Sequence, residues 1–177
     1  MAGAGERITA ATPEGDRRGH EFRYRLAAGF CHPGDVVLDA ACGAAYGAAL
    51  LRAGRVIRYI GADRDLCDIP AADQSLNFRE VDLEFWEPDF NFDVFIGFET
   101  IEHLDDCSAY VRAAKQARRW IGISCPVIPT VGQNPYHRRD FEPGELPSLF
   151  VDDEWELYQT VAQPSELAEI YLLRRRR

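Results

Sequence analysis

The junction at residues 36–47 constrains this chain most. Val36-Val37-Leu38-Asp39-Ala40 is a short apolar run with no polar alternation, the pattern of a strand buried on both faces. Five small residues follow, Ala41-Cys42-Gly43-Ala44-Ala45, and then residues 46–53 read as a helix ended by Gly54. A strand buried on both sides requires helices over both faces of its sheet. Small residues in the turn bring backbone N–H groups close to a ligand, and the helix N-terminus favours the ligand's anionic part.

Further apolar runs predict strands at 56–62, 76–81, 92–98 and 120–124, the last stopped by Pro126. Phe22, Leu26, Ala27 and Phe30 recur at helical spacing and predict a helix over 16–30. Asp105, Asp106 or Ser108 caps another that runs to about Arg118. Residues 127–150, with four prolines and two glycines, are irregular apart from a turn near Glu145. Runs at 154–161 and 167–173 close the chain as antiparallel neighbours. The expected fold is a single doubly wound α/β sheet of about seven strands. It is mostly parallel, with an antiparallel C-terminal strand and helices on both faces. About a dozen residues, Pro70 among them, separate the second and third strands, too few for a full crossover helix. Residues 1–15 are expected to be a disordered tail, 16–173 the domain, and 174–177 a basic tail of four arginines.

No apolar run approaches the roughly 18 residues needed to cross a bilayer. The N-terminus has no basic start leading into an apolar core, so a cytoplasmic protein is expected. Five scattered cysteines without a C-x-x-C pair read as free thiols. The net charge of −9 argues against broad phosphate-backbone binding.

Asp63 lies twenty residues after Gly43 and ends the second strand, where a carboxylate is placed to accept both hydroxyls of a ribose. Loop and acid together predict a nucleoside-containing cofactor. The stretch V-L-D-x-x-C-G-x-x-Y-G resembles the first motif of class I S-adenosylmethionine (SAM)-dependent methyltransferases, D-x-G-C-G-x-G. Ala62-Asp63, Val81-Asp82-Leu83, Phe92-Asp93-Val94, Glu99-Thr-Ile-Glu-His-Leu104 and Ser124-Cys125-Pro126 follow in that family's order. Arg23-Tyr24 resembles a pair that often leads into the motif.

This resemblance implies a Rossmann-like fold and a set of cofactor contacts. Asp39 and the backbone of Ala41, Cys42 and Gly43 would hold the methionine end, with the Tyr24 ring as an aromatic face for the cation. Asp63 would take the ribose and Asp82 the adenine amine, with Leu83 beside the ring; Phe98 and Glu99 would border the methyl-transfer site, and Arg64 would complete the cofactor contacts. The family usually has glycine where this chain has Ala41 and Ala45. A left-handed Ala45 would be strained.

Glu99, Glu102 and His103 form an E-x-x-E-H cluster, and on one helical turn that spacing brings all three side chains together. His137 lies on the loop after the fifth strand. The four resemble the metal ligands of ubiquinone-pathway O-methyltransferases and small-RNA 2′-O-methyltransferases, which implies Mg²⁺ or Mn²⁺ at Glu99, Glu102, His103 and His137. Without a metal, His103 would be the base, with Glu99 and His137 as catalytic partners. The acceptor expected is a hydroxyl on a small molecule, glycan or lipid. RNA 2′-O-methylation is one alternative and a non-catalytic SAM-binding partner protein another. Oligomeric state is not legible.

Overall fold

The computed structural model describes residues 8–9, 12–53, 57–70, 73 and 76–177. Seven strands form one sheet: β1 (Val36–Ala40), β2 (Arg58–Asp63), β3 (Asn77–Glu80), β4 (Val94–Phe98), β5 (Trp120–Pro126), β6 (Trp155–Gln163) and β7 (Ala168–Arg175). Their order is β3-β2-β1-β4-β5-β7-β6. The first five are parallel, and β7 runs antiparallel to both β5 and β6. This is the doubly wound sheet expected, with β7 as its antiparallel strand.

Helices cover both faces. α1 (Glu14–Ala28) and α2 (Tyr46–Arg52) pack on one face, around Val37, Leu51, Val94 and Ile96. α3 (Ser108–Lys115) and α4 (Glu145–Ser148) cover the other, around Leu38, Phe95, Ile121 and Trp155. β1 and β4 alternate side chains between the two clusters, which is why their sequences carry no polar face. Between β2 and β3 the described residues contain no α-helix, in line with the shortness of that segment.

Several boundaries differ from expectation, and three of them bear on the tails and the sheet edge. α1 starts at Glu14, just after Pro13, so it reaches into the stretch expected to be a tail. Most of the remaining tail, residues 1–7, 10 and 11, lies outside the described residues. β5 continues two residues further, to Pro126, because β7 pairs with it as far as Ala168. β7 itself extends to Arg175, so Arg174 and Arg175 are strand residues rather than a basic tail. Glu156 pairs with Arg174 and Arg176, and Glu154 with Arg175. Among the described residues no helix is long and apolar enough to cross a membrane.

Candidate active site

The strand order reverses between β1 and β4, and ligands of doubly wound sheets bind outside the strand ends at that crevice. A cavity of about 390 Å³ opens there. Ala41, Cys42 and Gly43 line it from the loop after β1, Asp63 from the end of β2 and Arg64 from just past it, Asp82 and Leu83 from beyond β3, and Phe98 from β4. Tyr24 joins them from α1. Nine of the ten residues expected to hold the cofactor therefore share one wall.

The tenth, Asp39, does not line the cavity. It is fully buried behind the wall, where the Tyr24 hydroxyl donates to Oδ1 at 3.0 Å and the Tyr59 hydroxyl to Oδ2 at 2.7 Å. There it ties Tyr24 of α1 to Tyr59 of β2. Burial pushes the Asp39 carboxyl up to about 7, and nearby Asp63 adds to the rise against the two phenol hydrogen bonds.

The loop owes its shape to backbone that alanine adopts reluctantly. Ala41, Gly43 and Ala45 all have positive φ, 63°, 54° and 58°. The strain expected at Ala45 is present. Asp63 Oδ2 accepts the Gly43 N–H at 2.8 Å, which closes the loop onto β2. Arg64 donates to Asp82 Oδ2 at 2.9 Å. Partial burial opposes ionisation of Asp82, but the Arg64 guanidinium and the Glu84 N–H outweigh it and hold the carboxyl below its usual range.

At the other end of the cavity Tyr24 stands edge to face with both Tyr46 and Phe98, at ring-centroid distances of 5.2 and 5.3 Å. His20, on α1, lies 3.2 Å through Nδ1 from the Tyr46 hydroxyl. Burial, and then the charge of Arg23, lower its pKa to about 4, so the ring is neutral at physiological pH. Glu99 borders the same end with φ at 48°. Its N–H donates to the Ser124 hydroxyl at 3.1 Å, and that hydroxyl donates back to Oε1 at 2.7 Å.

This backbone corrects the expectation of a single helical turn through Glu99, Glu102 and His103. The left-handed residue directs Glu99 towards Ser124 and Arg23, and only Ile101–His103 form a 3-10 turn. Glu99 accordingly stands apart from the potential ligand group. Glu102, His103 and His137 do meet, with one ligand atom of each within 4.8 Å of the others. The loop after β5 brings His137 there, because the Arg138 and Arg139 N–H groups both donate to the Glu102 carbonyl, at 2.7 and 3.3 Å. Glu102 is buried, and His103 lines the cavity beside Thr100.

Hydrogen bonds select the ring tautomers. The Tyr136 carbonyl, 3.3 Å from His103 Nδ1, only accepts, so that nitrogen carries the proton. Thr130 gives its proton to Asp140 at 3.0 Å and accepts from His137 Nδ1 at 2.6 Å. With Nδ1 so engaged, Nε2 is the nitrogen of each ring left to act as a ligand or acceptor atom.

Sequence reasoning gave no role to Arg23, Ser124, Tyr136 or Arg138. Tyr136 and Arg138 line the cavity, while Arg23 and Ser124 hold Glu99 from behind. Arg23 sits among other α1 arginines and glutamates spaced for solvent, and only the Arg23-Tyr24 pairing marked it.

No family model matches the chain. A probable SAM-dependent methyltransferase of Mycobacterium tuberculosis H37Rv is 31% identical over 147 residues, covering 76% of this chain and 53% of that protein. Another of that description from Mycolicibacterium smegmatis is 31% identical over 157 residues, covering 81% and 60%. The chain thus spans between half and two thirds of the length of these relatives. Among solved structures, magnesium protoporphyrin IX methyltransferase from Synechocystis PCC 6803 with bound SAM superposes with a TM-score of 0.73. It is 15% identical and covers 97% of this chain and 87% of its own. Along its sequence the chain is thus similar to SAM-dependent methyltransferases, and its sheet order and the likeness to solved structures give it the class I methyltransferase fold.

Proposed function

We propose that the chain binds SAM in this cavity and transfers its methyl group to a hydroxyl on a small molecule, glycan or lipid. The single observation that carries the O-methyl reading is the convergence of Glu102 and His137 on His103, which itself lines the cavity. The sulfonium makes the methyl electrophilic, and the protein must align the acceptor and take its proton. Tyr24, Tyr46 and Phe98 surround the expected methyl position with aromatic rings suited to a cation. His103 lies where an acceptor hydroxyl would enter, its Nε2 carrying the lone pair that would take the proton.

One carboxylate and two imidazoles, both with Nδ1 already engaged, also suit a divalent cation. Such an ion would lower the acceptor's pKa and orient its oxygen. Glu102, His103 and His137 would hold it, with Thr130, Asp140 and the Tyr136 carbonyl fixing the rings.

S-adenosylhomocysteine (SAH) formation measured with a panel of hydroxylated acceptors tests the reading. Chelator is expected to abolish turnover and Mn²⁺ or Mg²⁺ to restore it. His137→Ala should cut kcat by about a hundredfold, in the range of general acid–base contributions, while SAH affinity is unchanged. Normal turnover in chelator by both proteins would remove the metal and leave His103 as base.

A further inference from the structure

We propose that the methyl acceptor carries an anionic group, a carboxylate or a phosphate, and that Arg138 reads this group while His103 meets the hydroxyl. The inference rests on the methyl transfer proposed above and concerns which acceptors that site takes.

Beyond the residues expected to hold the cofactor, the cavity is lined by His103, Leu104 and Asp105 after β4 and by Tyr136 and Arg138 on the loop after β5. Two arginines line the cavity, and they differ in what already holds them. Arg64 donates to Asp82 Oδ2 at 2.9 Å. The Arg138 guanidinium makes no hydrogen bond among the described residues, and its ion pair with Asp105 is loose. Nε lies 3.6 Å from Oδ1, beyond the roughly 2.7–2.9 Å of a charge-assisted hydrogen bond. The next residue is the contrast: Arg139 donates to Glu145 Oε1 at 2.6 Å and lies over the Phe141 ring, so it ties the loop to α4.

The backbone sets Arg138 beside His103. Its N–H donates to the Glu102 carbonyl at 2.7 Å, and its side chain reaches Asp105, so it spans the His103–Leu104 segment. Asp105 is held in turn, its N–H donating to a carboxylate oxygen of Glu84. From the same loop the Tyr136 carbonyl engages His103 Nδ1, which leaves Nε2 for the acceptor. An acceptor whose hydroxyl sits at His103 therefore has the guanidinium next to it. The side chains of Arg138 and Asp105 are 52% and 77% exposed, and a pair that open contributes little. An incoming oxyanion displaces Asp105 at small cost and gains the bidentate contact that Asp105 does not make. Elsewhere Asp63, Asp82, Glu84 and Glu99 line the cavity and repel an anion, so the acidic group is held only where Arg138 stands.

The test uses matched acceptors, hydroxybenzoates against their primary amides and hexose phosphates against the free hexoses. SAH formation is measured with each, and binding to the SAH-loaded protein by calorimetry. The unaltered protein should favour the charged member of one kind of pair by roughly tenfold or more in kcat/KM, and the kind favoured distinguishes carboxylate from phosphate. Arg138→Met should remove that preference by raising KM roughly tenfold for the charged acceptor, with little change in kcat. SAH affinity should be unchanged, which also reports an intact fold. Equal use of charged and neutral members by the unaltered protein overturns the inference and leaves methyl transfer standing. A preference that survives in Arg138→Met overturns it too, as does an SAH-loaded protein that binds neither member of any pair. If the unaltered protein binds no SAH at all, the proposed function falls and takes this inference with it, a distinct result.

Discussion

His20 and Asp39 are shifted in opposite directions by the same burial. Asp39 titrates at about 7 when folded against 3.8 in its ordinary state, so the folded protein holds its proton more tightly and loses stability as pH rises from about 4 to 7. His20 titrates at about 4 against 6.5, so the folded protein holds its proton less tightly and gains stability as pH rises through that window. The two slopes nearly cancel between pH 4 and 6.5. One proton held across one pH unit is worth about 1.4 kcal/mol. His20→Gln should therefore expose the Asp39 slope, with urea stability falling by roughly 3 kcal/mol from pH 4 to 7 while the unaltered protein changes little. A flat profile in the variant would refute this pairing. At Ala45 the left-handed φ of 58° gives a second prediction: Ala45→Gly should raise stability by about 1 kcal/mol, seen as a melting point 2–4 °C higher, roughly. Ala45 was readable in advance because motif position alone demands a left-handed residue. The placement of Asp39 behind the wall was not, since a strand-end aspartate looks the same whether it faces ligand or core.

Elements were legible wherever one apolar period dominated, as in β1, β4 and β5, each buried along nearly its whole length. Legibility failed where geometry depends on a single backbone angle. The E-x-x-E-H spacing fits a helix, yet φ at Glu99 breaks the turn before it begins, and no local pattern announces that. The end of β7 failed for another reason: four arginines look like a solvated tail until the glutamates of β6 are seen across from them. The seating of α3 on β4 is a contact of the same long-range kind. A Cβ at Gly97 would lie 1.7 Å from the Tyr110 hydroxyl, which donates to the Gly97 carbonyl at 3.3 Å. Gly97→Ala should therefore destabilise by roughly 3 kcal/mol in urea unfolding. Adding Tyr110→Phe removes the clashing oxygen, so the double variant should be more stable than the sum of the two single losses requires. Strict additivity would mean that the two residues do not share this contact.

For the molecule as a whole, the cavity is where distant segments meet: α1, the loops after β1 and β3, the ends of β2 and β4, and the loop after β5 all contribute to its wall. Its position followed from strand order, which alternating strands and helices made predictable. Its contents at the Glu102 end did not, because His137 arrives over a loop whose path is set by backbone bonds to Glu102. A ligand filling this cavity bridges both hydrophobic clusters, since Leu83 and Ala41 belong with one and Tyr24, Cys42 and Phe98 with the other. Binding should then stabilise the fold as one cooperative unit instead of tightening a single loop. At a hundred times its dissociation constant, SAH should add about 2.7 kcal/mol, which for a chain of this size is roughly 5–10 °C in melting temperature. The shift should appear equally in far-UV circular dichroism and in tryptophan fluorescence. Trp120, a principal reporter, lies at the start of β5, away from the strand ends that form the cavity. A shift confined to one probe would show that the two clusters unfold separately, and no shift at millimolar SAH would count against the cofactor site itself.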